Sequence, residues 1–160
     1  NISIVIAAHN EARHIEHKLR TLLAQDYQPA TLQIILASDG STDDTVACAR
    51  KVVDPRITVL DLPRQGKAAT LNAGAALSTG EILVFTDADN QWSHDTLGHL
   101  LAPLADPQVG ACAGHMVIPV TGAGGRLIGV LDIDSDQPDA FTLDDARNLQ
   151  EILHDTFGNL

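Results

Sequence analysis

The chain has 160 residues, 44% of them apolar but only 3% aromatic, and a net charge of −11. That length fits one domain, or one domain with an appendage, around a core of Ala, Leu, Ile and Val. A pI near 4.7 argues against a binder of nucleic-acid phosphates, the lack of any apolar run of about 18 residues excludes a membrane-spanning helix, and Cys48 and Cys112 lack the spacing of a zinc site or a disulfide framework.

No signal peptide is visible, and a chain that starts at Asn1 and enters a strand at once reads as an excerpt of a longer protein. Ile2 to Ala8 is a short, β-branched run, predicted as a buried strand. A helix is predicted from about Glu11 to Ala24, because Ile15, Leu19, Leu22 and Leu23 fall on one face. Gln33 to Ala37 is the second strand. Ser38 to Thr45 follows as a turn cluster with helix N-cap chemistry, opening a helix through Val46 to Val52. Ile57 to Leu60 is the third strand. Arg64-Gln65-Gly66-Lys67 opens a helix through Leu77, with Gly80 read as its close. Ile82 to Phe85 is the fourth strand, and Ser93 is read as the cap of a helix to about Leu104.

Strand and helix thus alternate four times, which predicts parallel strands joined by crossover helices in a doubly wound α/β sheet. After Pro107 the rhythm changes. Val109 to Val120 and Arg126 to Ile133 read as extended around the turn Thr121 to Gly125, an antiparallel hairpin. Thr142 caps a last amphipathic helix. Hairpin and helix are expected to cover an open edge of the sheet.

Ligands of such sheets sit beyond the carboxyl ends of the strands. Four polar clusters fall there: His9-Asn10-Glu11, Ser38-Asp39-Gly40, Arg64 to Lys67, and Asp87 to Asn90. Asp87 and Asp89, two residues apart, point the same way if the chain is extended. Two close carboxylates repel unless a positive group lies between them, and Mg²⁺ or Mn²⁺ sharing oxygens with a phosphate suits that place. Asp39 sits at a strand end where a carboxylate accepts hydrogen bonds from a base or ribose. Arg64 and Lys67 flank a glycine before a helix N-terminus, a setting that favours phosphate, although the P-loop spacing is absent. Ser41 to Thr45 reads more simply as a capped turn. His94 and His99 read as surface residues, Trp92 and Tyr27 as packing residues.

In order and spacing, these clusters resemble the family-2 inverting glycosyltransferases with the nucleotide-sugar (GT-A) fold. The matching pieces are Ile4-Val5-Ile6-Ala7-Ala8-His9-Asn10-Glu11, Ser38-Asp39-Gly40-Ser41-Thr42-Asp43-Asp44-Thr45, Arg64-Gln65-Gly66-Lys67 through Gly74, and Thr86-Asp87-Ala88-Asp89. The resemblance covers residues 1–115. It implies a Rossmann-like nucleotide-binding half, a UDP-sugar donor, a sugar, polysaccharide or lipid acceptor, and hexosyl transfer with inversion. It places Glu11 and Asp39 at the uracil and ribose, Lys67 with Arg64 by the base or diphosphate, Asp87 on the ribose or sugar side, and Asp89 on Mg²⁺ or Mn²⁺. It also implies a cytoplasmic setting, at the cytoplasmic face of a membrane in the parent protein. His9 stands where many relatives have Tyr. The family's later Glu-Asp pair and its Gln-x-x-Arg-Trp motif have no counterpart, so no catalytic base is assigned.

Residues 116–160 resemble instead the end of a GAF domain of the free methionine-(R)-sulfoxide reductase type. The resemblance rests on Val117 to Val120, Gly125 to Ser135 and Phe141 to Asp145. That family's pocket acids match Asp132 and Asp134, but His115 replaces its Glu and Cys112 is not at the spacing of its catalytic cysteines, so reductase activity is not carried over. The chain reads as a glycosyltransferase-like half-domain completed by a GAF-like hairpin and helix. A non-catalytic scaffold and a reductase remnant are the alternatives.

Overall fold

The computed structural model describes residues 1–27 and 32–113, together with two later strands at 118–121 and 127–131. It divides into two units, Asn1–Cys112 and Ala113–Leu160.

In the first unit, four strands alternate with helices: β1 (Ile2–Ala8), α1 (Ile15–Leu23), β2 (Leu32–Asp39), α2 (Thr45–Arg50), β3 (Ile57–Leu62), α3 (Lys67–Ala75), β4 (Ile82–Asp87) and α4 (Thr96–Leu101), the last running into a 3-10 turn at Ala102–Ala105. The strands form one parallel sheet in the order β3-β2-β1-β4. This is the doubly wound topology expected. The order reverses between β1 and β4, so their carboxyl ends open the crevice where such sheets take ligands. In register, Ala7 stands beside Asp87 and Ala8 beside Ser38.

Strand alternation explains the core. Ile4, Ile6, Ile34 and Leu36 point to one face and meet Ile15, Leu19, Leu22 and Leu97, all with no exposed surface. Such aliphatic side chains contribute about 1.5–3 kcal/mol each when fully buried, which is how a chain so poor in aromatics holds a sheet. Gln25, 1% exposed, ties α1 to α4: its Nε2 donates to Ser93 O at 2.8 Å and its Oε1 accepts from Leu97 N at 2.9 Å.

Several boundaries differ from the expected ones. Helix α1 starts at Ile15 rather than Glu11, because Glu11 to His14 form a separate turn in which the Glu11 carbonyl accepts from His14 N and Ile15 N. Helix α4 starts at Thr96, and Ser93 bonds the Asp95 and Thr96 side chains in the turn before it. Helix α3 ends at Ala75, with Ala76 N and Leu77 N donating to Asn72 O and Gly74 O. Gly80 is not its cap. It passes against β1, where an added Cβ would lie 2.5 Å from Ser3 N, and only glycine fits that approach.

In the second unit, β5 (Ile118–Thr121) and β6 (Leu127–Leu131) pair antiparallel as a two-stranded sheet of their own, with an irregularity between Val120 and Thr121. Of the expected extended runs, residues 109–113 are described and are not strand, while 114–117, 126 and 132–133 lie outside the described residues. The helix expected from Thr142, and Asp132, Asp134 and His115, lie outside the described residues. Among the described residues no helix is long and apolar enough to cross a membrane.

Candidate nucleotide and metal site

The loops after β1 and β2 are laced together. Asn10 takes a left-handed backbone (φ 59°), its N–H donates to Ser41 Oγ at 3.1 Å, and its Oδ1 accepts from Thr42 N at 2.8 Å. Glu11 N donates to Thr45 Oγ1 at 2.7 Å and Ala12 N to Asp43 Oδ2 at 3.1 Å. The Thr45 hydroxyl above all holds the Asp43 carboxyl below the ordinary range. Ser41 to Thr45 therefore fix the Glu11 loop as well as opening α2. His9 completes the seam: its Nδ1–H donates to the Asp39 carbonyl at 2.8 Å, leaving Nε2 to accept from Asn10 Nδ2 at 3.3 Å. The Glu11 carboxylate lies 2.8 Å from His14 Nδ1.

Asp39, the last residue of β2, is only 3% exposed. Its carboxylate accepts from Gln65 N at 2.6 Å and Gly66 N at 3.1 Å, and pairs with Arg64 Nη1 at 3.1 Å. The Gln65 amide is the main force holding the Asp39 carboxyl below its usual range, opposed by burial and aided by Gly66 and Arg64. The sequence showed no partner for this acid, yet the partner is the backbone that opens α3. Asp39 thus anchors the 64–67 loop across the end of β2. From there Lys67 Nζ reaches Asp87 Oδ1 at 2.8 Å.

Asp87 closes β4. Ala88 is 4% exposed between a half-buried Asp87 and an exposed Asp89, and residues 88–90 bend away from the strand rather than extend it. Among the described residues Asp89 makes no hydrogen bond or ion pair, and no three His, Cys, Asp or Glu side chains are grouped to enclose a metal ion. One open carboxylate oxygen donor with a second acid nearby fits a hard divalent cation that draws its other ligands from a phosphate and water, and it does not fit a protein-enclosed ion.

Sequence reasoning missed Lys18. It lies on α1 within the inward stripe of Ile15, Leu19 and Leu22, and is 2% exposed. Its Nζ donates to Asn90 O at 3.1 Å and to Asn90 Oδ1, and lies 4.8 Å from the centre of the Trp92 ring. Burial pulls its pKa down to about 8, against the opposing fields of Asp87 and Asp89. A lysine at a core position of an amphipathic helix was the available signal. A small pocket lined by Arg13, His17, Lys18, Asp89 and Trp92 opens beside it. His94 and His99 are exposed, as expected. Trp92 packs at the margin of the core, whereas Tyr27 is 46% exposed.

The structure therefore brings Asp39, Arg64 and Lys67 together with Asp87 at one end of the sheet, with Glu11 in the laced loops and Asp89 just beyond. Three similarities bear on that arrangement. An uncharacterized glycosyltransferase of Nostoc sp. is 29% identical over 120 residues, covering 73% of this chain and 37% of that protein. The solved mannosyltransferase of Pyrobaculum calidifontis, in complex with GDP-Man and Mn²⁺, superposes with a TM-score of 0.64 at 37% identity, covering 68% of this chain and 33% of that one. Glucosyl-3-phosphoglycerate synthase from Mycobacterium tuberculosis, solved with Mn²⁺, UDP-Glc and phosphoglyceric acid, superposes with a TM-score of 0.55 at 27% identity, over 68% of this chain and 40% of that one. The chain spans about a third of the length of the curated relatives it matches. The model of glycosyl transferase family 2 matches residues 3–156, nearly the whole sequence, and the chain belongs to that family.

Proposed function

We propose that this chain is the donor-binding part of a glycosyltransferase that takes a UDP-sugar with Mg²⁺ or Mn²⁺ and passes the hexosyl group to a sugar, polysaccharide or lipid acceptor with inversion. The observation that carries the reading is the convergence of Asp39, the 64–67 loop and Asp87 at the strand ends, with the open carboxylate of Asp89 beside them. Solved relatives that carry nucleotide sugars with Mn²⁺ support it.

In this reading Asp89 would hold the metal beside the diphosphate of the donor. A bound divalent ion supplies charge neutralisation for the departing diphosphate. Lys67 and Arg64 face the diphosphate or base, next to the N–H groups that open α3. Asp87 meets the ribose or sugar. Glu11 and Asp39 meet the uracil and ribose, Asp39 while also holding the loop. No residue is assigned as catalytic base. The setting is the cytoplasm, or the cytoplasmic face of a membrane in a longer parent protein.

Calorimetric titration with UDP and with GDP, with and without Mn²⁺, on the native chain and on Asp89→Ala tests the reading. Mn²⁺-dependent UDP binding that disappears in the variant is expected. Binding that survives in the variant removes Asp89 from the metal, GDP preferred over UDP corrects the donor, and no binding by the native chain overturns donor binding.

A second reading is a scaffold without turnover, in keeping with the lack of an assigned catalytic base among these residues. It predicts that UDP binds while UDP-sugar is neither hydrolysed nor transferred. For residues 116–160 we keep the GAF-like hairpin and helix as a proposal, supported by the Gly125 to Ser135 run and opposed by a family match that continues to residue 156. The reductase remnant predicts thiol-dependent reduction of free methionine sulfoxide that fails in Cys112→Ser.

A further inference from the structure

We propose that Lys18 is a positioning residue for the metal site: its buried ammonium grips Asn90 from beneath and so fixes where Asp89 presents its carboxylate. The inference rests on the assignment of Asp89 to the metal.

A lysine is almost never fully buried without a partner, and an unpaired buried charge is costly. Lys18 is 2% exposed, yet among the described residues no carboxylate touches it. Both oxygens it binds belong to one neutral residue, Asn90, the main-chain carbonyl at 3.1 Å and the side-chain Oδ1. That Oδ1 also accepts from Thr86 Oγ1 at 3.0 Å, which links the last turn of the segment back to β4. The Trp92 ring, 4.8 Å from Nζ, covers the same ammonium with its electron-rich face. The chain from Thr86 to Trp92 is therefore folded around a cation supplied by another element, and it carries both Asp87 and Asp89 within the electrostatic reach of that cation.

If Lys18 served packing alone, an apolar side chain would serve as well or better, as it does at Ile15, Leu19 and Leu22 on the same stripe. What an apolar residue cannot supply is the two-point hold on Asn90. The cation beneath also offsets the mutual repulsion of Asp87 and Asp89 before any metal binds. Its lowered pKa, with both acids opposing the shift, agrees with that placement.

The test follows Mn²⁺ binding in the presence of UDP by the loss of the free-ion electron-paramagnetic-resonance signal, with thermal unfolding recorded without metal. Native chain, Lys18→Met, Lys18→Arg, Asn90→Ala and the Lys18→Met/Asn90→Ala double variant are compared. Mn²⁺–UDP affinity is expected to fall about tenfold in Lys18→Met and in Asn90→Ala, to fall no further in the double variant, and to recover in part in Lys18→Arg. Lys18→Met is expected to melt at or above the native temperature, which separates lost positioning from lost folding. Native affinity in a folded Lys18→Met overturns the proposal, as does full additivity in the double variant. Should Lys18→Met fail to fold, Asn90→Ala decides alone: native affinity there overturns it. A native chain that takes up no Mn²⁺ with UDP overturns the metal assignment itself, an outcome distinct from a native chain that binds while its variants bind equally.

Discussion

Lys67 Nζ lies 2.8 Å from Asp87 Oδ1, joining the first residue of α3 to the last residue of β4. The two side chains are 65% and 50% exposed, so the pair contributes about 0–1 kcal/mol to folding and weakens with salt. Its consequence is placement: a cation is held over the mouth of the β1–β4 crevice, beside an acid that would otherwise repel a diphosphate. Lys67→Ala is expected to lower the melting temperature by no more than about 4 °C and to weaken Mn²⁺-dependent UDP binding about tenfold, a typical worth for one charge-assisted contact. Calorimetry and thermal melting on the same samples check both halves. Unaltered UDP affinity would place Lys67 outside the site.

Asp39 makes stability depend on acid. Its carboxyl is held below its unfolded value, first by the Gln65 amide, so the unfolded chain binds the proton more readily than the folded one. The resulting stability is complete above about pH 5 and is lost progressively as pH falls through the unfolded value and then the lowered folded value. Asp39→Asn replaces an acceptor facing two N–H groups with an amide that satisfies them poorly, and should lower the melting temperature at pH 7 by roughly 5 °C. The gap between native and variant should narrow from pH 5 to pH 3, because protonation removes the same charge from the native chain. A gap that stays constant across that range would show that the charge is not its source.

The apolar runs of the strands and the amphipathic stripe of α1 made the elements of the first unit legible: β1 and β2 are buried almost throughout, while β3 and β4, at the two edges of the sheet, keep exposed positions. The clustering of polar residues at strand ends followed from topology alone. Residue-to-residue contacts across loops were not legible. Nothing local in Asp39 points to the Gln65 and Gly66 amides, which are far away in sequence and meet it only once α3 has folded over the sheet. Gln25, just past the predicted helix, carries no signal of its own in the sequence, and its hold on Ser93 and Leu97 exists only in the packed state. Gly80 read as a helix cap by composition, while its role is set by the backbone of Ser3. Lys18 was visible as an exception to the pattern of α1, and an exception of that kind, a charge in a core stripe, is where sequence reading has the most to gain.

Gly40 offers a last test of how the loops depend on one another. Its φ is +59°, and an added Cβ would stand 2.6 Å from Arg64 N and 2.9 Å from Arg64 Cα. Its own N–H donates to Leu62 O at 2.8 Å, which pins it in place. The substitution Gly40→Ala thus meets two obstacles: a left-handed backbone costing about 1–2 kcal/mol for an L-residue, and a clash with main chain that must move. Arg64 cannot shift without drawing Gln65 and Gly66 away from Asp39. A loss of about 2–4 kcal/mol in denaturant unfolding is expected, together with a flatter dependence of stability on pH below 5, since the Asp39 hydrogen bonds go with the loop. Gly98, inside α4, is the control. Among the described residues only Tyr27 Cβ, at 3.8 Å, would meet a new methyl there, so Gly98→Ala should gain about 0.5–1 kcal/mol through helix propensity and the stiffer unfolded chain and leave the pH dependence unchanged. A Gly40→Ala chain that loses stability but keeps the native pH slope would show that Asp39 holds the loop without help from the close approach of Gly40.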